Sequence, residues 1–393
     1  MSLPNPWAST TPTRAPVGHQ RGMPSTADTS SSPCTLSGSG ILISSYRAEG
    51  STNGSLWGRY CITRRCPERG YTPLARRNEA SLQALGVEME KVLITGISGG
   101  QGRLLARRLL ERYEVCGVDV VDWEGAPQGV DVQVVDLRKK KFEDVIRREL
   151  PNAIVHMGFV RHFQASGDTR HDVNVRGTKQ LLDHCVNHGV QNLVLLSSSY
   201  VYGAFPENPY YMDEDAPLSA SRSYPEIRDL VEVDTLASAF LWRYSHIRTC
   251  VLRPVNVLGY YVHSMIARYM RQSRVPTVMG FDPMMQFIHE EDVSEAIALS
   301  LEHGLQGVFN VVGPGEVPLH TAIEASGGSA LSIPEPIMRP LFARLFKLGM
   351  LPYPPGAIDY LKFPITLSGL RFVEATNFRP RFSLEEIFQS IER

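Results

Sequence analysis

The 393-residue sequence predicts an α/β fold: a doubly wound parallel sheet with a smaller C-terminal lobe, preceded by a disordered N-terminal extension. Three observations predict it. From Lys91 onward, short Val/Ile/Leu runs alternate with amphipathic helical stretches, which is the pattern of a parallel sheet covered on both faces. The first apolar run enters a glycine-rich turn and a helix follows it at once. Residues 1–88 show no sustained helical or strand period at all.

That leading stretch is dense in Ser, Thr, Pro and Gly, and holds nine arginines, five acids and no lysine. Such a composition cannot bury enough apolar surface to offset chain entropy, so disorder is expected. An Arg- and Ser-rich, acid-poor leader also fits an organelle transit peptide. A third reading starts the chain at Met89, immediately before the first strand. The chain as a whole carries a net charge of -1, which gives no electrostatic case for nucleic acid or acidic membranes. No apolar run is long enough for a membrane span. Met338 to Leu351 is apolar but broken by Arg339, Arg344 and Lys347, and reads as a helix covering a core or pocket, with a membrane-surface helix as the alternative. Cys34, Cys61, Cys66, Cys116, Cys185 and Cys250 form no zinc framework, and the last three read as buried thiols of a reducing compartment. The expected location is cytoplasmic, or an organelle if the leader is a targeting segment.

The predicted strands are Lys91–Thr95, Glu114–Asp119, Val130–Asp136, Ala153–Met157, Leu193–Leu196 and Thr249–Leu252. The first runs into Thr95-Gly96-Ile97-Ser98-Gly99-Gly100-Gln101-Gly102. Gly96 makes the tight turn, Gly99 lets backbone approach a pyrophosphate, and Gly102 allows close packing of helix on strand. The helix N-terminus offers free N–H groups to the phosphates. This is a Rossmann-type dinucleotide site. The second strand ends in Asp119, 17 residues beyond Gly102, where a carboxylate accepts from the ribose hydroxyls and repels a 2′-phosphate. NAD is therefore favoured over NADP. Asp122 is a rival for the ribose contact, and Arg103 and Arg107 are the phosphate partners if NADP binds instead.

With Thr-Gly-x-x-Gly-x-x-Gly in that context, the sequence from Met89 to the end resembles the extended short-chain dehydrogenase/reductases, the NAD-dependent epimerase/dehydratase group that includes UDP-glucose 4-epimerase-like proteins. Further segments match in order. Asp136-Leu137 looks like the pair that contacts adenine. His156-Met157-Gly158 stands where the family lines the nicotinamide side. Asn174-Val175-Arg176-Gly177-Thr178 resembles its Asn-Val-x-Gly-Thr helix. Ser197-Ser198-Ser199-Tyr200-Val201-Tyr202-Gly203 resembles the catalytic-serine strand end. Arg253-Pro254-Val255-Asn256-Val257-Leu258-Gly259 and Phe287-Ile288-His289-Glu290-Glu291-Asp292-Val293 resemble its two late signatures.

The resemblance implies a nicotinamide-binding set of Thr95, Gly96, Gly99, Gly100, Gln101, Gly102, Asp119, Asp136, Leu137, Met157, Gly158 and Asn174. It implies hydride transfer between a carbinol and the nicotinamide, with a tyrosine as proton acceptor, a serine as orienter and a lysine four residues after the tyrosine. By register Ser198 takes the serine role and Tyr224 the tyrosine role. Ser198, Ser199 and Asn256 are expected to contact substrate. At the lysine position stands Arg228, and no lysine occurs between Lys179 and Lys347. Arg228 supplies a permanent charge that can lower a phenol pKa, but its planar fork differs from an ammonium. Tyr224 and Arg228 are also expected to touch the cofactor. Family members that use nucleotide sugars carry an arginine two residues before Phe-Ile-His; here that residue is Met285, with Arg268, Arg271 or Arg274 as substitutes. His289 reads as structural.

The expected activity is that of an NAD(P)-dependent oxidoreductase or epimerase acting on a carbinol of a sugar-like or other small substrate. The alternative is a catalytically silent NAD(P)-binding sensor or assembly subunit. The expected layout is an extension over 1–88, a nucleotide-binding domain over 89–255 and a substrate-binding lobe over 256–393, with a strand near 307–311 returning to the main sheet. No metal is called for, and the resemblance implies a homodimer.

Overall fold

The computed structural model describes residues 90–160 and 167–391; the readings of residues 1–88, with Cys34, Cys61 and Cys66, lie outside the described residues. Among the described residues, β1 (Lys91–Thr95), α1 (Gly100–Leu109), β2 (Glu114–Asp119), β3 (Val130–Val134), α2 (Lys140–Glu149) and β4 (Ala153–His156) follow in turn. A helical stretch comes next: α3 (Gly167–His171), a π-helical turn over Asp172–Arg176, and α4 (Gly177–Asn187). Then come β5 (Asn192–Leu196), α5 (Arg228–Arg243) and β6 (Arg248–Pro254). The third strand stops short of Asp136, because the Asp136 carboxylate takes the Arg138 N–H at 2.9 Å and starts a turn.

Seven parallel strands form one sheet in the order β10-β6-β5-β4-β1-β2-β3, with β10 at Gly307–Val311. The continuous apolar runs are explained by burial on both faces: β4 and β5 are buried throughout. On one face Leu105 and Leu109 of α1 pack with Val293 and Ile297 of α7 (Glu290–Glu302). On the other, Phe142 and Ile146 of α2 meet Leu181 and Cys185 of α4, and Val233 and Ala237 of α5 cover β5 and β6. Chain order reverses between β1 and β4, and beside that switch point a doubly wound sheet opens a crevice at its carboxyl edge.

Beyond β6 the chain builds smaller pieces over this edge. β7 (Asn256–Leu258) pairs with β9 (Met284–His289), which also takes β11 (Glu316–Pro318) antiparallel. β8 (Arg274–Val278) pairs with β12 (Ser329–Ile333). α6 (Met265–Met270), α8 (Leu319–Ala325), α9 (Glu335–Lys347) and α11 (Leu384–Gln389) surround a second core with Phe287, Ile323, Met338 and Phe388, while α10 (Leu370–Thr376) packs Phe372 beside β10. α9 covers that core through Met338 and Phe342 and leaves Ile337 and Leu341 exposed. No helix among the described residues is long and apolar enough to cross a membrane. Cys116, Cys185 and Cys250 are buried thiols, each pushed up to about 12 by burial.

Candidate active site

The site begins at the turn after β1. Gly96 holds φ +74°, the left-handed region that favours glycine, and its N–H donates to the Val118 carbonyl at 2.8 Å. A Cβ on Gly102 would lie 2.4 Å from the Gly96 carbonyl oxygen and 2.7 Å from Ile97 Cα, so only glycine lets α1 approach the turn. At Gly99 an added Cβ would meet only the Gly96 oxygen, at 3.3 Å, which leaves its outer side open to a ligand. These positions fit a dinucleotide pyrophosphate on their own geometry.

Beside the turn, Asp119 accepts the Ser98 N–H at 3.0 Å and the Val120 N–H at 2.7 Å, so the end of β2 is tied to the glycine loop. Asp122 is exposed and holds the Trp123 N–H at 2.8 Å. Arg103 and Arg107 lie over the Trp123 ring at 5.5 and 5.7 Å. Asp136 is engaged by Arg138, which holds its carboxyl below the usual carboxylate range, and Leu137 packs beside Gly177 and the core of α2 and α4. The Thr95 hydroxyl is fully buried, 2.7 Å from His156 Nδ1, and accepts the Met157 and Gly158 N–H groups at 3.1 Å each. Thr95 therefore serves the site by fixing the β4 end.

A cavity of about 430 Å³ runs from this turn across the carboxyl edge. Its floor is Gly96, Gly99, Gly100, Gln101, Gly102 and Met157; its far end carries Ser197, Ser198 and Tyr200. Asn174 lines it from the π turn, where its side chain accepts the Val160 N–H at 2.8 Å. π turns of this kind recur at functional sites. Gln101 reaches across to α7, donating to the Glu290 carbonyl at 3.0 Å. A second cleft of about 560 Å³ adjoins the other side of the turn, lined by Ser98, Arg103, Tyr260, Tyr261, His263 and Arg271. Between the two, the Tyr261 carbonyl sits where a Gly100 Cβ would be, at 2.0 Å, and Glu290 anchors that segment through the Tyr261 and Val262 N–H groups.

Beneath the serine end lies a buried polar network. Asp234 of α5 accepts from Ser197 Oγ at 2.5 Å and takes Arg253 Nη2 and Nε at 2.6 and 2.9 Å. Arg253 also donates to the Tyr202 hydroxyl at 2.9 Å, and Tyr202 to Asn310 of β10 at 2.7 Å. Arg253 thus belts β5, α5, β6 and β10 together. Asn256 accepts from the Tyr200 hydroxyl at 3.0 Å and donates to the Gln286 carbonyl at 2.9 Å; Ser199 is buried. Both support the wall without lining it, whereas Ser198 lines it directly and its hydroxyl accepts the Tyr200 N–H at 3.3 Å.

The expected tyrosine and arginine are placed elsewhere. Tyr224 is fully buried in the second core: its ring lies against Gly356 and edge-on to Tyr360 at 5.6 Å, and its hydroxyl is 3.8 Å from Met265 Sδ. Burial holds the phenol well above its ordinary range, the opposite of what a base requires. Arg228 is exposed on the outer side of α5. The reason is the helix register: a short 3₁₀ turn over Pro225–Ile227 precedes α5, and the residues it presents to the cavity are Glu226, Ile227, Asp229 and Leu230. Glu226 and Leu230, four apart, share the inward face that the sequence register assigns to Tyr224 and Arg228.

What the sequence reading missed is charge from other elements. Arg170 of α3 is buried and lines the cavity, with Nε 3.8 Å from Asp229 Oδ2. Its signal was the spacing Arg170, Asn174, Thr178, one face of one helical stretch. His171 Nδ1 stands 3.7 Å from Asp229 Oδ1. Burial raises the Asp229 carboxyl above its ordinary value, against the pull of Arg170 and His171. Of the three arginines offered as phosphate partners, Arg268 lines the cavity; Arg271 donates to the Gly259 and Val262 carbonyls, and Arg274 is exposed in β8. Met285 is buried in the second core. His289 caps α7, accepting the Glu291 N–H at 3.3 Å, and stacks on Phe382 at 3.7 Å.

Known proteins are similar to this chain in sequence and in fold. An uncharacterized protein of Mycobacterium tuberculosis is 27% identical over 253 residues, 62% of this chain and 67% of that protein. Mouse UDP-glucose 4-epimerase is 32% identical over 190 residues, and mouse 3 beta-hydroxysteroid dehydrogenase type 7 is 30% identical over 184 residues. The matched segments span about half the length of each, 53% and 50%. In fold, the chain is similar to the UDP-glucose 4-epimerase of Thermus thermophilus, solved in complex with NAD, with a TM-score of 0.61 and 24% identity over 77% of this chain and 97% of that one. The dTDP-glucose 4,6-dehydratase of Bacillus anthracis, also solved with NAD, gives 0.61 and 17%, covering 77% of this chain and 95% of that one. The NAD dependent epimerase/dehydratase family model matches residues 92–312, the stretch that carries the glycine turn, Ser198, the Arg253 belt and β10, and the chain belongs to that family.

Proposed function

We propose that the chain binds NAD over Gly96–Gly102 and acts as an oxidoreductase or epimerase on a carbinol of a sugar-like or other small substrate. One observation carries the reading: the glycine floor and the Ser198 end belong to a single cavity, so a cofactor on the turn and a substrate at the serine share one space. NAD on this floor supplies a hydride acceptor. Asp119 favours NAD over NADP in this reading, because its carboxylate lies fixed at the end of β2, next to the loop.

The chain's own groups divide the remaining work. Ser198 orients the substrate hydroxyl. Asp229 is the proton acceptor, because it faces the cavity and burial raises its carboxyl above the ordinary carboxylate range. Arg170 holds that carboxylate in place, Glu226 is the second acid on the same wall, and Arg268 offers a positive charge for a substrate anion. Tyr224 and Arg228 have no part in the chemistry. A second reading, a silent NAD-binding sensor, is favoured by the same displacement of Tyr224 and Arg228 from the wall. Native isolation followed by mass spectrometry of bound small molecules tests the proposal. A bound nicotinamide dinucleotide together with a carbinol or its ketone supports it; absence of any dinucleotide, and no NAD binding by calorimetry, overturns it.

A further inference from the structure

On the helical layer away from the cavity, α2 and α4 bring three groups together. His184 lies in the last turn of α4, and His188 caps it four residues later, so both rings leave the same side of the helix; their centroids are 6.0 Å apart. Glu143 stands opposite, in the first turn of α2, next to Phe142, whose ring meets His184 edge-on at 5.8 Å. His188 Nε2 is 3.8 Å from Glu143 Oε1. One ligand atom from each of the three residues lies within 4.8 Å of the others. Among the described residues, His184 Nδ1 and His188 Nε2 are buried nitrogens with no hydrogen-bond partner. Buried polar atoms are nearly always satisfied, so two unpartnered imidazole nitrogens in one three-residue cluster ask for a partner.

We infer that Glu143, His184 and His188 form a binding site for a divalent transition-metal ion, with Zn²⁺ the best chemical match. Two imidazole nitrogens and one carboxylate oxygen suit a borderline cation and disfavour Ca²⁺ or Mg²⁺, which take oxygen sets. The observed separation needs only a small closure of side chains, since nitrogen and oxygen ligands at about 2.0–2.2 Å in a tetrahedron lie on the order of 3.4 Å apart. Glu143 is also held by Arg147 at 2.9 Å, an exposed partner that a metal can displace without opening the core. None of the three lines either cleft, so the ion ties α2 to α4 and takes no part at the cofactor.

The test is calorimetric titration of the tag-free full chain with ZnCl₂, and with CoCl₂ monitored by its visible absorption. One ion per chain should bind, cobalt should show tetrahedral bands, and zinc should raise the thermal midpoint. His184→Ala and His188→Ala should each weaken binding by about tenfold or more, since even outer-shell changes at metal sites cost that much. Glu143→Gln should weaken it without touching either imidazole, which keeps the test open if a histidine variant folds poorly. His303→Ala, an exposed control at the end of α7, should change nothing. Absence of binding by the unmodified chain overturns the site, as does unchanged affinity in a folded His184→Ala/His188→Ala double variant. Neither result bears on NAD binding, which is read separately.

Discussion

At Gly102 a single methyl group decides whether the site exists. Its Cβ would press on the Gly96 oxygen and Ile97 Cα, both backbone atoms of the turn that must receive a pyrophosphate. Gly102→Ala should therefore abolish detectable NAD binding in calorimetry and lower stability by about 1–3 kcal/mol in urea titrations, as overpacking does. Binding within a few-fold of the unmodified chain would show that the turn is not the cofactor floor. Asp119→Ala acts at the same scale. It should reduce NAD affinity and narrow any preference over NADP, with Arg103 and Arg107 beside Trp123 free to receive a 2′-phosphate. Equal affinities for the two cofactors in the unmodified chain would contradict the role given to Asp119. The glycine turn was legible from sequence because glycine spacing reports a backbone requirement, and such requirements are local.

Elements bring the less legible parts together. The inward face of α5 was not legible: Tyr224 stands just before a 3₁₀ turn over Pro225–Ile227, and the turn and the helix after it shift the cavity-facing positions to Glu226, Ile227, Asp229 and Leu230. Nothing in the residue types reports that shift. The Arg253 belt, by contrast, lies inside a recognised motif, but its partner Asp234 comes from α5 and was invisible to spacing. Asp234→Asn should cost about 3–5 kcal/mol, because it leaves Arg253 buried without its counter-charge. Equilibrium unfolding measures this; a loss under about 1 kcal/mol would mean the belt is not structural. At the start of α7, burial depresses His289 to about 4, from an ordinary 6.5. The unfolded chain therefore takes up this proton first, and the stability His289 contributes is present above about 6.5 and lost as pH falls toward 4. The neighbouring Glu290 and Asp292 carboxyls, raised by burial, act in the opposite sense, with Arg381 and Glu386 also facing the ring. Comparison of the unmodified chain with His289→Asn isolates the term: the difference in thermal midpoint should shrink from pH 7 to pH 4, and a constant difference would refute it.

Across the whole molecule, the parallel sheet was legible because strands buried on both faces must be apolar runs, and β10 was legible as a returning strand from Gly307–Val311. The upper wall of the cavity was not, since Met265, Arg268, Pro352 and Tyr353 meet it only through the packing of the second core. That wall makes the difference between an enzyme and a sensor a property of the assembled cavity. In an enzyme, the cofactor floor, Ser198 and the carboxylates of α5 act on one substrate. Asp229→Asn should then reduce turnover by about 10²-fold or more, the usual worth of a positioned acid or base, and Glu226→Gln should also reduce it. NAD affinity should hold in both, because neither residue touches the glycine turn. Tyr224→Phe should leave turnover within about twofold, since its buried hydroxyl lies behind the wall residue Met265, 3.8 Å from its Sδ, and a conservative core swap is tolerated. The measurements are NADH absorbance and chromatographic separation of epimers on addition of the carbinol recovered by native isolation. If NAD binds while such a substrate neither changes the absorbance nor yields an epimer, and Asp229→Asn alters nothing, the chain is a sensor. If Tyr224→Phe instead removes turnover while Asp229→Asn does not, the cavity rearranges on binding to bring the phenol back to the wall, and Asp229 leaves the mechanism.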